Sequence, residues 1–187
     1  MREPILTLDK YEILEAVGSG GMATVYLGRA TGPMGFEKAV AVKVLQDDAA
    51  DDDEIVRMFI DEAKLGARLA HPNIATVLDF GESGGRYWLT MEYVDGPSLA
   101  TLLKGTGRSG KTRKTPALDP AAAAWVTAGV LRALAFAHGL AGHDGKTMGV
   151  VHRDVSPHNV LLDRGGQVRL ADFGIATGAY RDRKSVV

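Results

Sequence analysis

The sequence predicts an α+β fold: a five-stranded antiparallel sheet with one helix, then a helical region that carries a short hairpin. Three observations lead there. Before residue 95, five short apolar or alternating runs are separated by glycine-rich turns, the signature of antiparallel strands. A single amphipathic stretch of helical length, from about Glu54 to Ala70, interrupts them. Beyond residue 95 the pattern turns helical, most clearly in the alanine-rich stretch from Pro120 to Leu140.

The chain has 187 residues, 45% apolar and 24% charged, enough for one substantial core or two small lobes. A net charge of -1 gives no broad basic field, so neither nucleic acid nor an anionic membrane is an expected partner. The absence of cysteine excludes disulfides and thiol catalysis and suits a reducing compartment. The first residues lack an apolar signal core, and no run approaches about 18 uninterrupted apolar residues. This stretch is therefore expected to lack a membrane segment and to be cytoplasmic, with a C-terminal membrane anchor left open for a longer parent chain.

Taken in order, Tyr11 to Val17 alternates, Thr24 to Ala30 is rich in β-branched and aromatic residues, and Ala39 to Leu45 is mostly apolar. Between the first two lies Gly18-Ser19-Gly20-Gly21, whose missing Cβ atoms let backbone N–H groups approach a phosphate. The acidic residues Asp47, Asp48 and Asp51 to Glu54 precede the helix and favour the positive end of its dipole. Ile74 to Phe80 and Arg86 to Tyr93, joined by Gly81-Glu82-Ser83-Gly84-Gly85, complete the sheet.

Ser98 to Leu103 begins a short helix, and Trp125, Val126, Leu131, Leu134 and Phe136 read as the apolar anchors of the long one. Between them, Gly105 to Thr112 matches the phosphate-loop pattern of nucleotide hydrolases. That mechanism needs a helix starting at Lys111-Thr112, and Pro116 interrupts it. Residues 104–118 are instead expected to be a flexible basic insertion. His138 and His143 have no neighbours at metal-ligand spacing.

The densest chemistry lies in His152-Arg153-Asp154-Val155-Ser156-Pro157-His158-Asn159, followed by Asp172-Phe173-Gly174. Val160 to Leu162 and Val168 to Ala171 read as paired strands, so the hairpin aims Asp154, Asn159 and Asp172 at one point. Seven fixed identities at set spacing arise by chance at a given start with probability on the order of 10⁻⁹.

These loops resemble the catalytic and metal-binding loops of the bacterial, eukaryotic-type serine/threonine protein kinases. The resemblance runs from about Tyr11 to Ala176 and implies a fold of two lobes: residues 1–95 as the ATP-binding small lobe and hinge, and 96–187 as a partial large lobe. It implies Mg²⁺ and ATP as cofactors and a protein Ser/Thr hydroxyl as acceptor, with dimerisation of the full-length kinase as a further expectation. Asp154 would orient the attacking hydroxyl, Asn159 and Asp172 would hold metal, and Lys43, fixed by Glu62, would hold the α- and β-phosphates. Val17, Gly18, Ser19, Gly20 and Gly21 would cover the phosphates. Val25, Ala41 and Leu161 would sandwich the purine, with Met91, Glu92 and Val94 at the hinge. Lys43, Asp154, Asn159 and Asp172 are thus expected to converge on one triphosphate.

Four features depart from the family pattern. Ser156 stands where most members carry a lysine that neutralises the transferring phosphoryl, Ala23 replaces the third loop glycine, and Gly66 replaces a bulky apolar residue one turn beyond Glu62. The chain also ends at Val187 before an Ala-Pro-Glu segment, so an N-terminal fragment with weak or no activity alone is expected. Arg153 implies that a phosphorylated activation loop is read, with Thr177, Tyr180 and Ser185 as the available hydroxyls. The alternative is a nucleotide-binding pseudokinase or scaffold.

Overall fold

A computed structural model describes residues 3–104, 118–142 and 144–173 of the chain. The expected basic insertion, apart from its end residues, and His143, Gly174, Thr177, Tyr180 and Ser185 lie outside the described residues. The described chain divides into two compact units. One comprises the residues up to Arg68 together with Thr76–Tyr93; the other comprises Leu69–Ala75 and the residues from Val94 onward.

The first unit is built on an antiparallel sheet of six strands in the order β1-β2-β3-β4-β6-β5. These are β1 (Leu6–Leu8), β2 (Tyr11–Ser19), β3 (Ala23–Gly32), β4 (Phe36–Leu45), β5 (Val77–Ser83) and β6 (Arg86–Glu92). Five strands were expected; the sixth, β1, pairs Leu6 with Ile13 and Leu8 with Tyr11. Three residues are too short for periodicity to register, and the strand exists because Leu8 is buried against the sheet.

Alternation along β4 sets the two faces of that sheet. Val40, Val42 and Val44 join Leu8, Tyr11, Ile13 and Trp88 in one buried cluster, so Ala41 and Lys43 face the other way. Tyr11 packs edge-on to Trp88 at 5.1 Å, and its hydroxyl reaches Asp79 on β5 at 2.8 Å. Lys10 Nζ meets the same carboxylate at 2.7 Å. The edge strand β5 is thereby tied through side chains to the turn between β1 and β2 and to the start of β2.

A one-turn helix, α1 (Asp47–Ala50), precedes α2 (Asp53–Gly66). Within the acidic stretch Asp52 caps α2, accepting from Glu54 N at 2.9 Å, as carboxylates at helix starts do. The helix buries Ile55, Phe59, Glu62 and Ala63, and Phe59 meets Phe80 at 6.1 Å. It stops at Gly66 rather than Ala70. A Cβ at Gly66 would stand 2.5 Å from Val77 Cγ2, so β5 occupies the space that a side chain would need.

In the second unit, α3 (Leu99–Lys104) and α4 (Pro120–His138) accompany the hairpin of β7 (Val160–Leu162) and β8 (Val168–Leu170). Pro120 sits at the first helical position of α4, and Asp119 caps it by accepting from Ala121 N and Ala122 N. Two of its expected anchors, Trp125 and Leu131, are instead exposed, whereas Val126, Ala133 and Ala137 are buried. A helix that is apolar nearly all round, with Thr127, Arg132 and His138 its only polar residues, leaves periodicity little to choose a face by. By length and composition α4 could cross a membrane, but it is capped and packed against β8. Ile74, expected to open a strand of the large sheet, instead bridges to Leu170 of β8.

Candidate active site

Each unit brings together part of the residue set that the sequence singled out. In the first, Lys43 on β4 and Glu62 on α2 meet at 2.6 Å, with side chains 15% and 7% exposed. Strand alternation points Lys43 at the helix, and the position of Glu62 on the buried face of α2 completes the pair. A buried ion pair of this kind holds geometry more than it adds stability, because both ions lose water.

The turn after β2 is closed by Gly20 N donating to Ala23 O at 2.9 Å. A Cβ at Gly18 would meet no atom within 4 Å, and one at Gly20 only the Ala23 carbonyl at 3.6 Å. The fold itself does not demand glycine at either place. Val17 and Ser19 at the end of β2, and Gly21 in the turn, are exposed. Val25 lies opposite Lys43, and Ala41 opposite Leu27, in the β3–β4 ladder.

Met91 and Glu92 end β6, where the Glu92 N–H is committed to Thr76 O at 2.9 Å. The Val94 carbonyl accepts from Gly96 N at 2.9 Å. Gly96 is required: a Cβ there would fall 1.9 Å from Leu162 O.

In the second unit, Asp154 follows a tight turn in which its N–H reaches His152 O at 2.9 Å. Arg153, at the centre, has φ of 65°, a left-handed conformation rare outside glycine and typical of strained functional turns. The Asn159 carboxamide donates to Asp154 O at 2.9 Å and to Asp154 Oδ2 at 3.1 Å.

His152, only 1% exposed, links this turn to the far strand. Its Nε2 pairs with Ala171 O at 3.1 Å, and its Nδ1 lies 3.3 Å from Asp154 N. Nδ1 as acceptor and Nε2–H as donor fit the neutral ring, and burial pushes its pKa below the usual histidine value, outweighing the hydrogen bonds and carboxylates nearby. The ring packs on Phe173 at 4.5 Å.

Ala171 N donates to Asn159 O at 2.8 Å, which closes the hairpin. The next residue, Asp172, is also left-handed at φ 57°. Asp154, Asn159 and Asp172 therefore belong to one hydrogen-bonded loop pair, and Leu161 lies on β7 beside it.

The donor set suits a hard cation. Asn159 Nδ2 is used on Asp154, so its Oδ1 is the atom left to face a cation, and Asp172 supplies carboxylate oxygens. Among the described residues no three His, Asp or Glu side chains gather as a metal cage. Mg²⁺ needs none, since it takes one or two protein oxygens with phosphate and water for the rest.

Sequence reading passed over Asn73, which is 7% exposed. Its Nδ2 donates to Val168 O at 2.9 Å, and its Oδ1 accepts from Arg132 Nε at 3.2 Å. A polar residue inside His71-Pro72-Asn73-Ile74 signals a turn, and only tertiary pairing reveals the role.

The family profile described as protein kinase domain matches residues 11–187. The tyrosine-protein kinase MasK of Myxococcus xanthus is 37% identical over 171 residues, 91% of this chain and 26% of its own length. The serine/threonine-protein kinase PrkC of Bacillus subtilis is 37% identical over 168 residues, 90% of this chain and 23% of its own length. The crystal structure of the Mycobacterium tuberculosis PknI kinase domain superposes with a TM-score of 0.67 at 38% identity, covering 92% of this chain and 62% of that one. The chain thus spans about a quarter of the length of these curated relatives. With the family profile matched from Tyr11 to Val187 and more than a third of its residues shared with these kinases, the chain belongs to the protein kinase domain family.

Proposed function

We propose that this chain is the ATP-binding and catalytic part of a protein serine/threonine kinase, which moves the γ-phosphoryl of Mg-ATP to a protein Ser or Thr hydroxyl. The observation that carries the reading is the bonding of Asn159 to Asp154, in a turn that His152 and Ala171 tie to Asp172. A carboxylate beside an amide-and-carboxylate cation pair is what phosphoryl transfer requires, because the protein's task is positioning and charge stabilisation rather than covalent chemistry.

Each residue takes a role on that reading. Mg-ATP supplies the phosphoryl group and the cation that screens it. Asp154 orients the acceptor hydroxyl and takes its proton, while Asn159 Oδ1 and the Asp172 carboxylate hold Mg²⁺. Lys43, steadied by Glu62, binds the α- and β-phosphates, and the turn from Val17 to Gly21 covers them with backbone N–H groups. Val25, Ala41 and Leu161 line the purine, with Met91, Glu92 and Val94 along its edge.

Residues 1–95 then serve as the nucleotide lobe and hinge, and 96–187 as the catalytic part, with residues 104–118 a basic insertion. The protein acts in the cytoplasm, and its substrates and any self-association belong to the longer kinase. Pro157 and the name of PrkC favour Ser/Thr acceptors; the name of MasK keeps tyrosine as the competing acceptor. A second reading, a nucleotide-binding pseudokinase, rests on Ser156 in place of the lysine that most family members carry.

The test is phosphoryl transfer from radiolabelled Mg-ATP to Ser/Thr and Tyr peptides by the protein containing this chain, native and Asp154→Asn. Label on Ser or Thr that disappears in the variant is expected. Equal label in both would end the enzyme reading, and label confined to tyrosine would move the acceptor.

A further inference from the structure

We infer that one stripe of α4, formed by Trp125, Gly129 and Arg132, positions strand β8 and through it Asp172; the inference rests on the kinase reading above. The three residues are spaced i, i+4 and i+7, which places them on a single helix face. Trp125 Nε1 donates to Gly166 O at 2.9 Å, holding the turn that leads into β8. At Gly129 a Cβ would stand 2.8 Å from Val168 Cβ, so the helix backbone lies against the first residue of the strand only because no side chain intervenes.

Arg132 acts through Asn73. Its Nε donates to Asn73 Oδ1 at 3.2 Å, and this fixes the amide so that Nδ2 faces Val168 O at 2.9 Å. The Asn73 carbonyl accepts from Leu170 N at 2.8 Å, and Leu170 O accepts from Ala75 N at 2.9 Å. The Arg132 guanidinium also stands 5.8 Å from the centre of the Trp125 ring, which couples the two donors. Strand β8 is therefore gripped at the turn before it, at its first residue and at its last.

Burial explains Gly129 but not the two donors. Trp125 is 53% exposed and Arg132 lies on the surface, so their contribution comes through directed bonds rather than through apolar area. The gripped strand is three residues long and runs straight into Ala171 and the left-handed Asp172. Aspartate visits that backbone conformation more readily than most non-glycine residues, yet still at a cost that its surroundings must offset. Trp125, Gly129 and Arg132 are positioning residues in this sense; none touches the reacting atoms.

The experiment is a Mg²⁺ titration of fluorescent ATP-analogue affinity for the protein containing this chain, with thermal midpoints measured in parallel, for native protein, Arg132→Met, Arg132→Lys and Trp125→Phe. For Arg132→Met the apparent Mg²⁺ affinity is expected to fall about three- to tenfold, the size of one directed hydrogen bond, with Mg²⁺-free nucleotide affinity unchanged. Arg132→Lys, which keeps a donor for Asn73, should recover part of the loss, and Trp125→Phe should shift the titration the same way by less. A lowered melting midpoint with an unmoved Mg²⁺ titration in all three variants would overturn the inference and leave the kinase reading standing. Absence of Mg²⁺-dependent nucleotide binding by the native protein would instead overturn the kinase reading, and this inference with it.

Discussion

One carboxamide joins Asn159 to Asp154 by donating twice, to the backbone carbonyl at 2.9 Å and to the carboxylate at 3.1 Å. Replacing Asn159 by Ala removes both donors and one oxygen proposed for the cation. The rate of peptide phosphorylation should fall at least about a hundredfold, the lower end of what a positioned acid or base contributes. Stability should fall by only about 1–2 kcal/mol, the net worth of two hydrogen bonds. A variant with near-native kcat would remove Asn159 from the machinery.

The Lys43–Glu62 pair yields to denaturant measurements on its own. Lys43→Met removes the ammonium beside a carboxylate that is 7% exposed, at a cost of roughly 3–5 kcal/mol in urea unfolding. The double variant Lys43→Met/Glu62→Leu should regain most of that, since an apolar pair of similar volume needs no water. If single and double variants unfold at the same urea concentration, the pair is solvated rather than buried.

Two glycines with opposite surroundings give a paired prediction. Gly96→Ala must move the Leu162 carbonyl and should cost about 1–3 kcal/mol, as overpacking does. Gly18→Ala meets no atom of the fold, so stability should hold or rise by about 0.4–1 kcal/mol. On the phosphate-covering reading its ATP affinity should nevertheless drop. Unchanged affinity in Gly18→Ala would show that nothing approaches that turn closely.

The tie between Tyr11, Lys10 and Asp79 predicts a pH response. Burial pushes the Asp79 pKa up, but the hydrogen bonds from Lys10, Tyr11 and Phe80 N together outweigh it and leave the group below its ordinary 3.8. The native state therefore holds this carboxylate ionised where the unfolded chain takes up a proton, and stability rises with pH across that window. The contribution is fully present above pH 3.8 and is lost as pH falls through the lower native value. Asp79→Asn should be less stable than native protein at pH 6, with the difference shrinking below pH 3.8. A constant difference down to the acid limit would contradict the assignment.

Much of the site was legible from residue identity alone. Asp154, Asn159 and Asp172 lie within 19 positions and on two arms of one short hairpin, so turn chemistry and strand pairing predict that they share a loop pair. The Lys43–Glu62 contact was legible only as a motif, because nothing in the strand or helix pattern says which helix residue faces the sheet. Trp125 misled for a clear reason: an indole in an apolar helix reads as core, yet here it lies half in water and uses its N–H on Gly166. Asn73 and Arg132 were invisible, since a bond between residues 59 positions apart leaves no local trace. The strand β1 escaped for want of length.

The assignment of Leu69–Ala75 to the second unit, between two segments of the first, bears on how the chain is made. Asn73 finds its strand partner only 95 residues later, at Val168. During synthesis that peptide waits, unpaired, while the six strands on either side of it can already associate. With residues up to Tyr93 clear of the ribosome, the nascent chain should hold its sheet yet leave the backbone amide of Ala75, which the finished fold pairs with Leu170, open to deuterium exchange until Leu170 has emerged as well.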